Sequence, residues 1–170
     1  MLTLILGGAR SGKSRLALQR AAASGEAVTF IATARADDAE MAARITRHQL
    51  ERPPHWRTVE VGVDLADTIR SADTRVVVVD CLTLWLTHCL CTAPEHFAAV
   101  RADCLAALVG FGSKEIILVS NETGLGIVPL GELTRRFVDE AGWLNQDIAQ
   151  RANRVIFVAA GLPLYLKGMP

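Results

Sequence analysis

The chain lacks any apolar run near the ~20 residues of a membrane-spanning helix: the longer ones, such as residues 76–79, are strand-sized, although 51% of the 170 residues are hydrophobic. It also lacks a basic region followed by an apolar stretch of about 7–15 residues at its amino terminus, where Gly7 interrupts the first apolar run. No transmembrane segment and no signal peptide are expected, and the expected location is the cytoplasm. Excess charge of either sign is missing as well. Basic and acidic residues balance at 18 each, so no overall electrostatic footprint points to nucleic acid or an anionic membrane, although a local basic patch would escape this count. C-x-x-C spacing is absent among Cys81, Cys89, Cys91 and Cys104, which reads them as reduced, buried small hydrophobes and not as a disulfide framework. His88, Cys89, Cys91 and His96 lie close together but fit no structural zinc spacing. No internal repeat or low-complexity tract is visible. The length suits one well-buried core and not two ordinary domains, so residues 1–170 are expected to form a single domain.

What the chain does have is Gly7-Gly8-Ala9-Arg10-Ser11-Gly12-Lys13-Ser14, a G-x-x-x-x-G-K-S stretch between an apolar run at 2–6 and a helix-like run at 15–23. In that strand-loop-helix setting, a loop with three glycines can turn several backbone N–H groups toward one anion, and the helix start adds its positive dipole end. Lys13 is expected to reach the terminal phosphates, and the Ser14 hydroxyl to ligate Mg²⁺. Four valines at 76–79 lead to Asp80, a carboxylate at the end of a buried strand, where a Walker B acid orders Mg²⁺. The plainer alternative is a surface aspartate capping the helix expected at 82–90.

Between these motifs, residues 27–32 read as a buried strand that completes a βαβ unit. Thr33 at its carboxyl end either meets ligand or caps the next helix with its hydroxyl. Residues 37–51 have helical spacing, with Met41, Ile45 and His48 on one face, so His48 points toward protein. Arg44 and Arg52 lie one helical step to either side of it and Arg47 adjoins it. Such cations disfavour the imidazolium form and leave His48 neutral and nucleophilic, while the arginines can hold phosphate oxygens. An interfacial histidine on a partly solvated helix is the other reading. Arg52-Pro53-Pro54 ends the helix, and a strand at 56–61 ends near Glu60, so residues 37–60 are expected to form an excursion beside the nucleotide site.

Helices are expected at 64–72 and 95–109 and a strand at 114–119. The polar, glycine-containing loop at 120–129 follows, with Asn121, Glu122, Gly124 and Gly126 as candidates to border a substrate. Leu133, Phe137, Ala141, Leu144, Ile148 and Ala152 form the expected core stripe of a long helix, on which Arg136, Asn145 and Gln146 could meet substrate or a neighbouring subunit. Strands at 154–160 and 162–167 close the chain.

Several blocks recur as a set: the loop from Gly7 to Ser14, Ile31-Ala32-Thr33, Glu40-Met41-Ala42-Ala43-Arg44-Ile45 with His48, Arg52-Pro53 with Trp56-Arg57-Thr58-Val59-Glu60, and Ser120-Asn121-Glu122 with Gly126-Ile127-Val128-Pro129. Together they resemble the bifunctional adenosylcobinamide kinase / adenosylcobinamide-phosphate guanylyltransferase family of cobalamin biosynthesis. The resemblance implies an α/β P-loop NTPase fold with a RecA-like, mostly parallel sheet flanked by helices. It implies that the aminopropanol hydroxyl of adenosylcobinamide is phosphorylated by a nucleoside triphosphate, GTP or ATP, with Mg²⁺. GMP then passes from GTP through a guanylyl-histidine to give adenosylcobinamide-GDP. His48 matches the nucleophile; some members carry two adjacent histidines where this chain has Arg47-His48, and His55 is the fallback. On this match the nucleotide site comprises Gly7, Gly8, Ala9, Arg10, Ser11, Gly12, Lys13 and Ser14, with Ala32, Thr33, Ala34, Arg44, Arg52, Glu60 and Asp80. A homo-oligomer, a trimer in the family, is also implied. The competing readings are a small-molecule kinase of the same fold in which His48 is structural, and a non-catalytic nucleotide-binding switch.

Overall fold

Short apolar, β-branched runs alternate with longer alanine- and leucine-rich stretches, and the chain folds accordingly as strands crossed over by helices. The computed structural model describes residues 1–35, 39–109 and 111–169, and nothing of the Arg44 side chain. In chain order the elements are β1 (Leu2–Gly7), α1 (Lys13–Ala23), β2 (Val28–Ala32), α2 (Ala39–Leu50), β3 (Arg57–Glu60), α3 (Leu65–Ser71), β4 (Val76–Asp80), α4 (Leu82–Thr92), α5 (Phe97–Ala107), β5 (Glu115–Asn121), α6 (Glu132–Arg151), β6 (Arg154–Ala159) and β7 (Leu162–Lys167). The strands form one sheet in the order β3-β2-β4-β5-β1-β6-β7. Every neighbouring pair is parallel except β6 and β7, which form an antiparallel hairpin across Ala160 and Gly161, both at positive φ.

Alternation along the strands divides the core in two. Leu4, Leu6, Val77, Val79 and Leu118 face α3, α4, α5 and α6, packing with Leu65, Trp85, Phe97 and Leu144. Ile5, Val76, Val78, Ile117 and Val119 face the other way, against Ala17 and Ala21 of α1. The alanines let α1 lie close to the sheet, which brings the loop before it onto the carboxyl end of β1. The strand that ends the expected excursion, β3, pairs parallel with β2 as the sheet's edge. Residues 37 and 38, where that excursion was expected to begin, lie outside the described residues.

Two expectations need correction. Leu133, assigned to the core stripe, is 54% exposed; the stripe reaches the core from Phe137, which is half-buried against it, and is fully buried from Ala141 onward. A helix of 20 residues spans about 30 Å and a strand of 7 about 23 Å, so the first turns of α6 overhang the sheet's carboxyl edge. Cys81, Cys89 and Cys104 are free and buried, but Cys91 is exposed on the last turn of α4. Burial pushes the thiols of Cys89 and Cys104 up to about 12, so both stay protonated and inert at neutral pH. No helix among the described residues is long and apolar enough to cross a membrane.

Candidate nucleotide site

Parallel strands deliver their carboxyl ends to one edge, and ligands of open α/β sheets bind there. Register makes the ends level: Ala32 pairs with both Glu60 and Asp80, and Gly7 pairs with Asn121. Ala32, Glu60, Asp80 and Asn121 line a cleft of about 450 Å³. Residues 10–15 form one wall. Met41, Ile45, Arg47, His48 and Gln49 of α2, followed by Glu51 and Arg52, form a second wall.

The loop at Gly7 to Ser14 is held by backbone on both sides. A Cβ on Gly7 would stand 2.3 Å from the Val158 carbonyl oxygen, so only glycine lets β1 and β6 approach at the loop's entrance. The Glu122 N–H donates to Gly7 O at 3.0 Å and the Gly161 N–H donates to Ser11 O at 2.8 Å. Gly12 turns the chain into α1 at φ 101°. Lys13 is buried, and its ammonium donates to Gly8 O at 2.5 Å and to Ser11 Oγ at 3.4 Å. Gly7, Gly8 and Ala9 shape the loop without lining the cleft, whereas Arg10, Ser11, Gly12, Lys13 and Ser14 line it.

Asp80 is half-buried, with an opening onto the cleft. Burial pushes its carboxyl above the usual carboxylate range, opposed by a hydrogen bond from Ser14 and by the charges of His48, Arg52 and Lys13. A hydroxyl and a carboxylate brought together this way are a hard-oxygen pair suited to Mg²⁺. The peptide from Asp80 to Cys81 is cis. Arg52 lies with its guanidinium 3.7 Å from the ring centroid of Phe30, and its Nε and Nη1 have no hydrogen-bond partner among the described residues. Burial lowers the Arg52 pKa, against the attraction of Asp80, Glu60 and Glu51. Such a cation, half-desolvated and short of acceptors, is suited to phosphate oxygens.

His48 faces the cleft, its side chain 29% exposed, and its Nδ1 stands 3.6 Å from Glu51 Oε2. The expected ring of cations is thus interrupted by a carboxylate, while Arg47 and Arg52 line the same wall and the Arg44 side chain lies outside the described residues. Ala34 also lines the cleft. Thr33 does not: it is buried, and its hydroxyl is taken up by Cys81. Of the 120–129 loop only Asn121 reaches the cleft, its amide donating to Thr83 Oγ1 at 2.7 Å. Glu122, Gly124 and Gly126 lie outside it, with Glu122 Oε1 accepting from the Gly124 N–H at 2.6 Å. Arg136 donates to Pro94 O at 2.9 Å, Asn145 is buried at 7% exposure and Gln146 is exposed. Glu51, Cys81 and Leu84, which line the cleft, and Thr83, which holds Asn121, were missed. The H-x-x-E spacing of His48 and Glu51 was a readable signal; Cys81 to Leu84 directly follow a strand end in the switch region, which was another.

Fold and cleft together define a P-loop nucleotide-binding protein. Two solved structures share the fold: the flagellar accessory protein FlaH from Methanocaldococcus jannaschii (16% identity, TM-score 0.52, 98% of this chain and 78% of that one) and the RadB recombinase (17%, 0.54, 92% and 73%). The family model described as cobinamide kinase / cobinamide phosphate guanyltransferase matches residues 3–166, and the chain belongs to that family of bifunctional enzymes. It is 58% identical to the bifunctional adenosylcobalamin biosynthesis protein CobP of Pseudomonas aeruginosa, over 100% of this chain and 99% of that one. It is 40% identical to the CobU protein of Salmonella typhimurium, over 98% and 100%.

Proposed function

We propose that this cleft carries out two reactions in the cytoplasm, within a single domain: phosphorylation of adenosylcobinamide by GTP or ATP, then transfer of GMP from GTP through guanylyl-His48 to give adenosylcobinamide-GDP. The observation that carries this reading is that His48, Lys13 and Asp80 converge on one cleft.

In the first reaction the substrate hydroxyl attacks the γ-phosphorus, the bond to the bridging oxygen breaks, and the nucleoside diphosphate departs. The chain's part is positioning and charge neutralisation. The loop N–H groups cradle the phosphates, Lys13 exchanges its contact with Gly8 O for a phosphate oxygen, and Arg52 offers its unpartnered nitrogens. Ser14 and Asp80 are the residues that would hold Mg²⁺, which when bound neutralises phosphate charge.

In the second reaction His48 Nε2 attacks the α-phosphorus of GTP. A P–N bond forms, the bond to the β-bridging oxygen breaks, and pyrophosphate leaves, drawn by Lys13 and the arginines. Glu51 stands 3.6 Å from Nδ1, on the side of the ring away from Nε2, and helps to orient Nε2 toward the cleft. A phosphate oxygen of the substrate then displaces the histidine from phosphorus. Incubation with cobinamide and GTP tests the reading: a GDP-linked corrinoid is expected, and nucleotide hydrolysis with no transfer would overturn it.

Leu125, Ile127, Val128, Leu130 and Leu133 are exposed in the segment from residue 125 to 133, and β7 exposes Leu162, Leu164 and Leu166. These apolar surfaces support assembly as a homo-oligomer, a trimer on the family's pattern. Sedimentation at micromolar protein should show one species of three chains; a monomer would contradict it.

A further inference from the structure

We propose that Thr33 is a positioning residue that sets the Asp80 carboxylate, and so the metal, without touching nucleotide. The proposal rests on the reading of Ser14 and Asp80 as metal ligands.

The β2–β4 ladder ends at the pair Ala32 and Asp80, and one residue further each strand must leave the sheet. Thr33 stands at that point, 2% exposed. Its hydroxyl donates to Cys81 O at 2.7 Å and accepts from the Cys81 N–H at 2.8 Å, while its own N–H donates to Asp80 O at 3.3 Å. A threonine hydroxyl carries one proton and two lone pairs, so holding both the N–H and the C=O of one residue fixes that residue's backbone from a single side chain. The peptide that leaves Asp80 is held at both ends by Thr33, its N–H by the hydroxyl and its carbonyl, Asp80 O, by the Thr33 N–H, and its direction determines where the Asp80 side chain points.

The clamp continues across the sheet. Cys81 Sγ meets Thr83 Oγ1 at 3.1 Å, and Thr83 Oγ1 accepts from the Asn121 amide at 2.7 Å, which joins the ends of β2, β4 and β5. A threonine that merely satisfied one stray backbone group would need a single bond. β-Branching adds to the effect, because it restricts χ1 and holds the hydroxyl in one place. Metal ligands depend on such supporting bonds, and removing one typically lowers metal affinity or activity by about 10–100-fold.

The test uses the whole chain with Mn²⁺ as the probe, its binding followed by electron paramagnetic resonance in the presence of a non-hydrolysable GTP analogue. Thr33→Val keeps the shape and removes both hydroxyl bonds. It is expected to weaken Mn²⁺ binding by about tenfold and to lower kcat to a similar extent, with KM for GTP changed by less than about threefold. Thr33→Ser keeps the hydroxyl and should restore binding to within about threefold of the parent. Should Thr33→Val not accumulate as folded protein, Thr33→Ala, which introduces no steric excess, is read in its place with the same expectation. Asp80→Asn serves as the reference. If it loses Mn²⁺ and folded Thr33→Val or Thr33→Ala does not, the inference about Thr33 is overturned alone. If Asp80→Asn binds Mn²⁺ like the parent, the metal assignment fails and takes the inference with it.

Discussion

The two helices that flank the cleft are close in length and opposite in anchorage. α1 has 11 residues and buries Lys13, Ala17 and Ala21 against the sheet; α2 has 12 and none of its described side chains is buried. Their chemistry divides along the same line. The residues proposed to handle the terminal phosphates, Lys13 and Ser14, begin a helix that is part of the core. The proposed nucleophile His48 rides on a helix whose described side chains are at most half-buried. Local stability follows burial, so the second wall of the site should be the first part of the molecule to open. A γ-phosphoryl transfer site built into the core and a guanylyl carrier set on a lightly held element would let one triphosphate be attacked at two different phosphorus atoms.

The largest expected effect separates the two chemistries outright. His48→Ala should eliminate protein-bound guanylyl label while γ-phosphoryl transfer continues, and its melting free energy should stay within about 0.5 kcal/mol of the parent because the side chain is partly exposed. Loss of both activities together would erase the division. Lys13→Ala, on the other wall, should lower phosphoryl transfer by about 100–1,000-fold, as removal of one charge-stabilising donor commonly does. Turnover like that of the parent would remove the loop from catalysis.

Asp80→Asn should act with opposite signs on activity and stability. The folded carboxyl titrates above its unfolded value, so ionised Asp80 costs stability at pH above that range, and the cost disappears as pH falls below the unfolded value. The ligand-free variant should therefore melt higher than the parent at pH 7, with the advantage shrinking on acidification, while metal-dependent turnover falls. Equal melting at pH 7 would contradict the burial argument. The smallest effects sharpen the contrast directly. Ala17→Leu overfills the contact between α1 and the sheet and should cost about 1–3 kcal/mol, whereas Ala43→Leu on α2 should cost no more than about 0.5 kcal/mol. Denaturant titrations of the pair settle it.

Much of this was legible because strand ends are marked by chemistry. Asp80 directly follows an apolar run and Asn121 follows one after Ser120, and the glycines of the loop state their own backbone needs. What stayed hidden depends on distance in the chain. The hydroxyl of Thr33 was read as free for ligand or helix cap, since no local pattern shows that residue 81 lies across from it. Leu133 matched the helical stripe perfectly well; its exposure follows from the helix being longer than the sheet it crosses, a tertiary fact. Glu51 was seen only as the end of a helix, although its spacing from His48 placed both on one face.

The central claim is that one cleft serves both reactions, so damage to the wall formed by α1 must be felt at the histidine on α2. The direct measurement is covalent labelling of His48 in the Lys13→Ala protein with Mg²⁺ and GTP labelled at the α-phosphate. The account predicts that acid-labile label on His48, strong in the parent, is nearly absent in this variant. Labelling at the parent rate would show that guanylyl transfer draws its GTP from somewhere other than this cleft.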